Sequence, residues 1–298
     1  MTYYPLVSCV LTTYNRSKIL KRAITSVLNQ TYTNIELIII DDNSKDNTSD
    51  VVKIINNKRI KYIRNTSNKG LSYNRNLGAS LSKGEFVAFI DDDDEWFPLK
   101  IEKQLLIFER DKSDKLGLVY TWSIMTNSKK NIGILAPNLT GEIFKHSIDD
   151  QPITNGSTWL IKKEVFKKIK FDTAIKRGID GDFVRQISLL YHVDVLMETM
   201  VHYHVGHGFQ RITSNEKDSI VSAIKAHKIT LNKFSNQILQ HPLQTSSLLS
   251  FLALDYIRIQ EYKNAYKYFM EAFKTSLLSK KLYKNLLKAF LIFLGVKS

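Results

Sequence analysis

The sequence predicts an α/β protein, with a mostly parallel sheet flanked by helices over residues 1–215 and a smaller all-helical region over residues 216–298. Three observations carry this. Phe86-Val87-Ala88-Phe89-Ile90 is an unbroken apolar run, the pattern of a strand covered on both faces. Upstream, an apolar strand (7–11), a helical-period stretch and a second apolar strand (35–40) follow one another as a βαβ unit. After about residue 215 the apolar positions recur only at helical spacing, with Pro242 as the one clear break.

Taken in order, Val7-Ser8-Cys9-Val10-Leu11 runs into the polar turn Thr12-Thr13-Tyr14-Asn15. Ile19, Leu20, Ala23, Ile24, Val27 and Leu28 then mark an amphipathic helix that stops near Asn29-Gln30. The second strand, Ile35 to Ile40, ends in Asp41-Asp42-Asn43-Ser44. A helix over 50–57, a short strand over 60–63 and a helix opened by Asn68-Lys69-Gly70 lead to the central strand. Ligands of open parallel sheets bind beyond the carboxyl ends of the strands, so three polar clusters (12–15, 41–44 and 91–95) are expected on one edge. A dinucleotide fingerprint after the first strand is excluded, because the first glycine is Gly70.

The central strand gives way at once to Asp91-Asp92-Asp93-Asp94-Glu95-Trp96. Adjacent carboxylates repel, and a divalent cation offsets that cost. Mg2+ or Mn2+ held by Asp91 and Asp93 would in turn hold a diphosphate. A solvated acidic turn is the alternative reading of the same residues.

Composition narrows the setting. A 298-residue chain with 43% hydrophobic and 24% charged residues has the length and balance for a sizeable core. The single cysteine, Cys9, rules out an internal disulfide framework. With no basic-then-apolar leader and no apolar run near the ~18 residues of a spanning helix, the expected location is the reducing cytoplasm. The net charge of +14 points to an anionic partner. Thirteen Lys+Arg against five Asp+Glu fall after residue 215. No nucleic-acid recognition motif accompanies that charge.

Four pieces then fall into a known order. Val-Leu-Thr-Thr-Tyr-Asn-Arg (10–16), Ile-Asp-Asp-Asn-Ser (40–44), Asn-Lys-Gly with Asn-Arg-Asn-Leu-Gly (68–78) and Phe-Ile-Asp-Asp-Asp-Asp-Glu-Trp (89–96) resemble the family 2 glycosyltransferases of the GT-A fold. The resemblance is strong over the first 100 residues and continues weakly to about residue 213. It implies a GT-A catalytic domain over 1–215, with a nucleotide-binding half (1–100) and an acceptor half (101–215). It further implies an inverting, metal-dependent transferase that moves a sugar from a nucleotide-sugar, UDP-linked, to a glycan hydroxyl in surface polysaccharide synthesis.

Carried over residue by residue, Thr12, Tyr14 and Asp42 would hold the base, with Tyr14 stacking on the ring and Asp42 accepting from a uracil N–H. Arg75 would face the nucleotide phosphates, or else lie on an exposed helix face. Asp93 would bind the metal directly, and Asp91 would serve the ribose or the metal through water. Asp92, also placed at the nucleotide, would point elsewhere on an extended backbone. Residues 155–160, Asn-Gly-Ser-Thr-Trp-Leu, resemble the acceptor-side segment. Asp180 would be the general base, with Asp182 as runner-up, although Ile179 stands where the family writes Glu. His207, with His204 second, would close over the metal, and Arg211 would reach the phosphates. Two other classes compete: a nucleotidyltransferase on a similar sheet, and a non-catalytic module that binds membrane or anions.

The C-terminal third carries its own signal. Residues 253–273 read as one helical hairpin, too short for a repeat array. Beyond it, Leu282, Leu286, Ala289, Phe290 and Phe293 fall on one helical face beside Lys280, Lys281, Lys284 and Lys288, and no acid follows Glu271. A basic amphipathic helix of this kind suits peripheral attachment to the inner face of the cell membrane, near a lipid-linked acceptor. Packing on the catalytic domain, or on a partner in a homo-oligomer, is the alternative.

Overall fold

The computed structural model describes residues 4–127, 130–149, 152–205 and 217–295. The chain divides into two compact units. One comprises Met1–Ile143, Pro152–Thr173 and Gln186–Phe209, and the other Phe144–Gln151, Ala174–Arg185 and Gln210–Ser298. The helical unit therefore takes in two segments that precede residue 216. Apolar complementarity accounts for one of them, because Phe144 and Ile148 bury against Phe234, Ile238 and Leu248.

The first unit opens with β1 (Val7–Thr13), α1 (Ser17–Leu28), β2 (Ile35–Asp41), α2 (Thr48–Ile55), β3 (Ile60–Arg64), α3 (Leu71–Leu81) and β4 (Phe86–Asp91). It continues through β5 (Glu95–Trp96), α4 (Lys100–Arg110), β6 (Leu116–Asn127) and β7 (Lys130–Leu135). In chain order there follow the short α5 (Phe144–Ser147), which belongs to the helical unit, a 3-10 turn at Gly156–Thr158, β8 (Leu160–Lys162), a second 3-10 turn at Lys163–Lys167, α6 (Ile179–Ile187), which lies mostly in the helical unit, and β9 (His192–Val205). Among the described residues the strands form one sheet in the order β3-β2-β1-β4-β8-β6-β9-β5, with β7 hydrogen-bonded to β6. Strands β3, β2, β1 and β4 are mutually parallel, β8 runs antiparallel between β4 and β6, and β6 and β9 are parallel.

Burial explains why β1 and β4 lie inside the sheet. Every residue of β1 is buried, as are Phe86 to Ile90 of β4. Leu20, Ala23, Ile24 and Val27 of α1 cover one face, joining Cys9, Leu11, Leu37 and Ile39 in the main core. On α3, a Cβ at Gly78 would stand 2.2 Å from Val10 Cγ1, so the glycine permits close approach of helix and strand. Cross-strand register then aligns the strand ends: Thr13 opposes Asp41, Asp41 opposes Arg64, and Thr12 opposes Asp91. The polar clusters at the ends of β1, β2 and β4 thus share one edge, as the βαβ reading expects.

The helical unit contains α7 (Lys217–Lys233), α8 (Ser235–Ile238), α9 (Pro242–Arg258), α10 (Tyr262–Thr275) and α11 (Lys280–Phe293). Helices α9 and α10 form the expected hairpin, with Tyr256 and Tyr268 stacked at 5.6 Å. Ser279 caps α11 by accepting from the Leu282 N–H at 3.3 Å, and its hydroxyl lies 2.7 Å from that of Ser247. Asn285 donates to Ser250 at 2.9 Å, which fixes α11 on α9. The expected apolar face of α11 is split as a result. Leu282 and Ala289 are buried with Leu249, Ala253 and Phe269, whereas Phe290 and Phe293 remain exposed. No described helix is long and apolar enough to cross a membrane.

The Gly78 contact is testable. Gly78→Ala should lower the free energy of unfolding by about 1–3 kcal/mol through overpacking against Val10, even though alanine favours helix by ~1 kcal/mol. A urea midpoint at or above that of the parent would show that α3 can move off β1.

Candidate active site

The site is built on the aligned strand ends. Asn15, in the left-handed region at φ 53°, donates its N–H to Ser44 Oγ at 2.9 Å and accepts from the Lys45 N–H at 2.7 Å. The loops after β1 and β2 are thereby joined. Asp41 is buried and structural, accepting from Tyr62 Oη at 2.5 Å and the Ser44 N–H at 2.8 Å. Asp42, also buried, takes Asn65 Nδ2 (2.9 Å) and the Lys69 N–H (2.8 Å) on one oxygen and the Gly70 N–H (2.8 Å) on the other. Its carboxylate therefore sets the loop that enters α3. Thr12 is buried beside Asp91, and the Tyr14 ring is 44% exposed on the turn, where a flat partner can reach it.

The acidic run does not stay extended. The Asp91 N–H donates to Ser157 Oγ at 3.0 Å, and the chain then turns, with the Asp94 N–H bonded to the Asp91 carbonyl at 3.1 Å. This turn gives each carboxylate its own environment, which four side chains on two faces of a strand would lack. Asp91 is ion-paired with Arg75. Asp92 is pushed up to about 7 by burial and by the charge of Asp93, with Thr13 and Arg16 opposing. Asp93 is partly exposed, and its carbonyl accepts from Arg22 Nη2 at 2.6 Å. Asp94 is fully buried and accepts from Asn155 Nδ2 at 3.1 Å. Burial and then the charges of Asp93 and Asp91 hold its carboxyl well above the usual range.

Two basic side chains, Arg75 and Lys100, are buried in this unit. Arg75 is 1% exposed, its Nη2 lies 2.8 Å from Asp91 Oδ1, and its guanidinium packs against the rings of Phe89 and Phe171. The exposed-helix alternative for Arg75 is thus excluded. Gly156 leaves room for it, since a Cβ there would approach Arg75 Nη2 to 2.9 Å. Lys100 is fully buried, with its ammonium 2.8 Å from Gln104 Oε1 and 4.2 Å from the centroid of the Trp96 ring. Burial pushes its pKa down to about 7, with Cys9 opposing.

The remaining sequence-derived residues are distributed as follows. His202 stacks on Phe97 at 4.5 Å, and His204 Nε2 lies 3.6 Å from Glu95 Oε2. Burial and then Arg22 push the His204 imidazole below its usual pKa. Asp180 lies in the first turn of α6 and is partly exposed. Ile179, in the position of the family's Glu, is buried. Asp182 is 1% exposed and takes Lys233 Nζ on both oxygens at 3.1 and 2.9 Å, which makes it an anchor for α7. His207 and Arg211 lie outside the described residues.

Among the described residues, no three His, Cys, Asp or Glu side chains form a metal cluster by themselves. The donor set at the turn nevertheless suits a hard divalent cation. Mg2+ characteristically takes one or two carboxylates and completes its shell with substrate phosphates and water, and the neighbouring Asp93 and Asp91 supply such oxygens at a strand end.

The model of the family described as "Glycosyl transferase family 2" matches residues 8–170. The chain belongs to that family. It is 32% identical over 228 residues to WcaA of Escherichia coli, a glycosyl transferase named for colanic acid biosynthesis, covering 72% of this chain and 77% of that protein. Over 107 residues it is 40% identical to the E. coli UDP-Glc:alpha-D-GlcNAc-diphosphoundecaprenol beta-1,3-glucosyltransferase WfaP, covering 36% and 43%. S. aureus TarS in complex with UDP-GlcNAc superposes with a TM-score of 0.59 at 17% identity, covering 91% of each chain. A mannosyltransferase from Pyrobaculum calidifontis, in complex with GDP-Man and Mn2+, gives 0.55 at 15% identity, covering 98% and 81%. The two structures show the shared GT-A-like fold. Membership of the glycosyltransferase family replaces the nucleotidyltransferase and non-catalytic readings.

Sequence reasoning left three residues of this site without a role. Asp94 extends the acids one beyond an Asp-x-Asp pattern, and Asn155 was legible only as part of a segment. Lys100, beyond the last motif, carried no signal of burial.

Two outcomes follow from the buried basic side chains. Arg75→Met, which removes the guanidinium beside Asp91, should destabilise the family 2 domain by about 3–5 kcal/mol in urea unfolding. A loss well under 1 kcal/mol would mean that Asp91 is neutralised by other groups. For Lys100, the folded value near 7 lies below the unfolded ~10.4. The unfolded chain therefore binds the extra proton between those values. Stability rises with pH across that window and is lost as pH falls toward 7. Lys100→Met should flatten the rise between pH 7 and pH 9 by on the order of 2 kcal/mol. Identical slopes for parent and variant would contradict a buried, depressed ammonium.

Proposed function

We infer that this family 2 glycosyltransferase is an inverting, metal-dependent enzyme that moves a sugar from a UDP-linked donor to a hydroxyl of a lipid-linked surface glycan. The observation that carries this reading is the convergence of Thr12, the Tyr14 ring, Asp42 and the acidic turn on one sheet edge, above the buried Arg75. UDP as the nucleotide is supported by UDP-GlcNAc in TarS and by the UDP-Glc named for WfaP, whose name also carries a lipid diphosphate acceptor.

In this reading Tyr14 stacks on the base and Asp42 accepts its N–H. Asp93, with Asp91, would hold Mg2+ or Mn2+, which supplies positive charge against the leaving diphosphate. Arg75 pairs with Asp91 and orients it, while Asn155 donates to the buried Asp94. Asp180 takes the proton of the acceptor hydroxyl as its oxygen attacks the anomeric carbon. The new carbon–oxygen bond forms opposite the bond to the diphosphate, which leaves with both electrons, and the anomeric centre inverts. Asp182, neutralised by Lys233, fixes the start of α6 on which Asp180 is carried.

A donor panel tests the reading. With Mn2+ present, a UDP-sugar should be hydrolysed or should raise the melting temperature, and Asp93→Asn should abolish the metal-dependent turnover. Asp180→Asn should lower kcat by about 10²–10⁴-fold with UDP-sugar binding retained. A response to GDP- or dTDP-sugars with UDP-sugars silent would overturn the assignment of Asp42.

A further inference from the structure

Helix α11 is amphipathic twice over. Its inward side is accounted for by Leu282, Asn285 and Ala289 on α9. Tyr283, Leu287, Phe290 and Leu294 recur at i, i+4, i+7 and i+11 and so form a second apolar line along the helix. With Phe293 they are between 51% and 73% exposed, and Leu277 and Leu278 before the helix are exposed as well. A cluster of large apolar side chains of this size, left in water, marks an interaction surface.

Charge identifies the partner. Lys280, Lys284 and Lys288 recur at i, i+4 and i+8 along one flank of the stripe, and residues 272–295 contain no acid. Lys281 does not belong to this row, because it turns inward to Asp149 at 3.2 Å. A second copy of this chain would bring lysine rows of the same sign together, which disfavours self-association through the stripe. An anionic bilayer accepts both features, with leucine and aromatic side chains entering the acyl boundary and ammonium groups at the headgroups.

The geometry points to this outward stripe, Tyr283, Leu287, Phe290, Phe293 and Leu294 with Lys280, Lys284 and Lys288, as the face by which the protein docks on an anionic lipid bilayer. It shares Phe290 and Phe293 with the face the hydrophobic periodicity selects but not Leu282 and Ala289, which are buried inside the helical unit. The inference rests on the helical unit alone and not on the donor or acceptor assignment. Its test is a binding measurement without substrate, so its failure and that of the transferase reading are separable.

Full-length protein should cosediment with phosphatidylcholine vesicles containing phosphatidylglycerol, weakly with phosphatidylcholine alone, and should be released by salt. Leu287→Ser with Phe290→Ser should weaken the partition at least about tenfold. Lys284→Gln with Lys288→Gln should weaken it about fivefold per lysine. Leu287 and Phe290 are exposed and Lys284 and Lys288 are not buried, so both variants should melt with the parent. Absence of binding to the anionic vesicles, or equal binding to both vesicle types, would overturn the proposal. A parent dimer that the Leu287→Ser, Phe290→Ser variant converts to monomer would reassign the stripe to a second copy.

Discussion

The ion pair between Arg75 and Asp91 is the constraint on which the site depends. A guanidinium that is 1% exposed has lost its water, and the carboxylate 2.8 Å away and the aromatic faces that flank it offset that loss. Three separate parts of the sequence must fit around it. Phe89 comes from the central strand, Phe171 from the region before α6, and Gly156 from a turn where a Cβ would stand 2.9 Å from Arg75 Nη2. A buried pair is weak evidence for net stability, but it is demanding of geometry. Here that geometry fixes where the central strand ends and the acids begin.

From that fixed point the four aspartates separate into different electrostatic states. Asp91 is matched by Arg75, Asp94 is desolvated and held by Asn155, and Asp92 is raised toward neutrality by burial and by Asp93. A run that would be self-repelling in an extended strand is thereby made tolerable by a single turn. Asp93 is left partly exposed, with its carbonyl tied to Arg22. The turn itself is latched to the segment 155–158, since Ser157 receives the Asp91 N–H and offers its carbonyl to Trp96. In this way a segment far along the chain becomes part of the wall behind the acids.

The parts legible in the sequence were those that repeat a physical pattern. Apolar runs at 7–11, 35–40 and 86–90, interrupted only by Ser8 and Glu36, identified the inner strands because a strand buried on both faces shows no regular polar alternation. The convergence of their polar ends followed from parallel pairing. What stayed hidden depended on contacts between residues distant in sequence. Arg75 sits in a polar helical stretch, and Phe171 and Gly156, more than 80 positions away, help to make it a core residue. The facing of helix α11 was legible only in part, because periodicity places residues on sides but does not say which side meets a neighbour. Ser250 and Ser247 on α9 decide that through Asn285 and Ser279. Lys100 and Asp94 are charged residues in a core, against the usual preference, and no local signal announces such exceptions.

Asp42 shows how tightly structure and the inferred recognition are linked. An ionised carboxylate offers about four lone-pair sites, and three are occupied by Asn65, Lys69 and Gly70. One direction remains for a ligand N–H. The three internal donors determine how the carboxylate is turned, so the loop that enters α3 sets the angle from which a base can be read. Gly70, at φ +86°, places its N–H on the second oxygen in a conformation that side-chain-bearing residues seldom adopt. A neutral amide at position 42 would have a single acceptor oxygen for three donors, so the loop would shift before any base arrived. If Asp42 reads the base as proposed, nucleotide selection is a property of the loop and the carboxylate together, and the two cannot be varied independently.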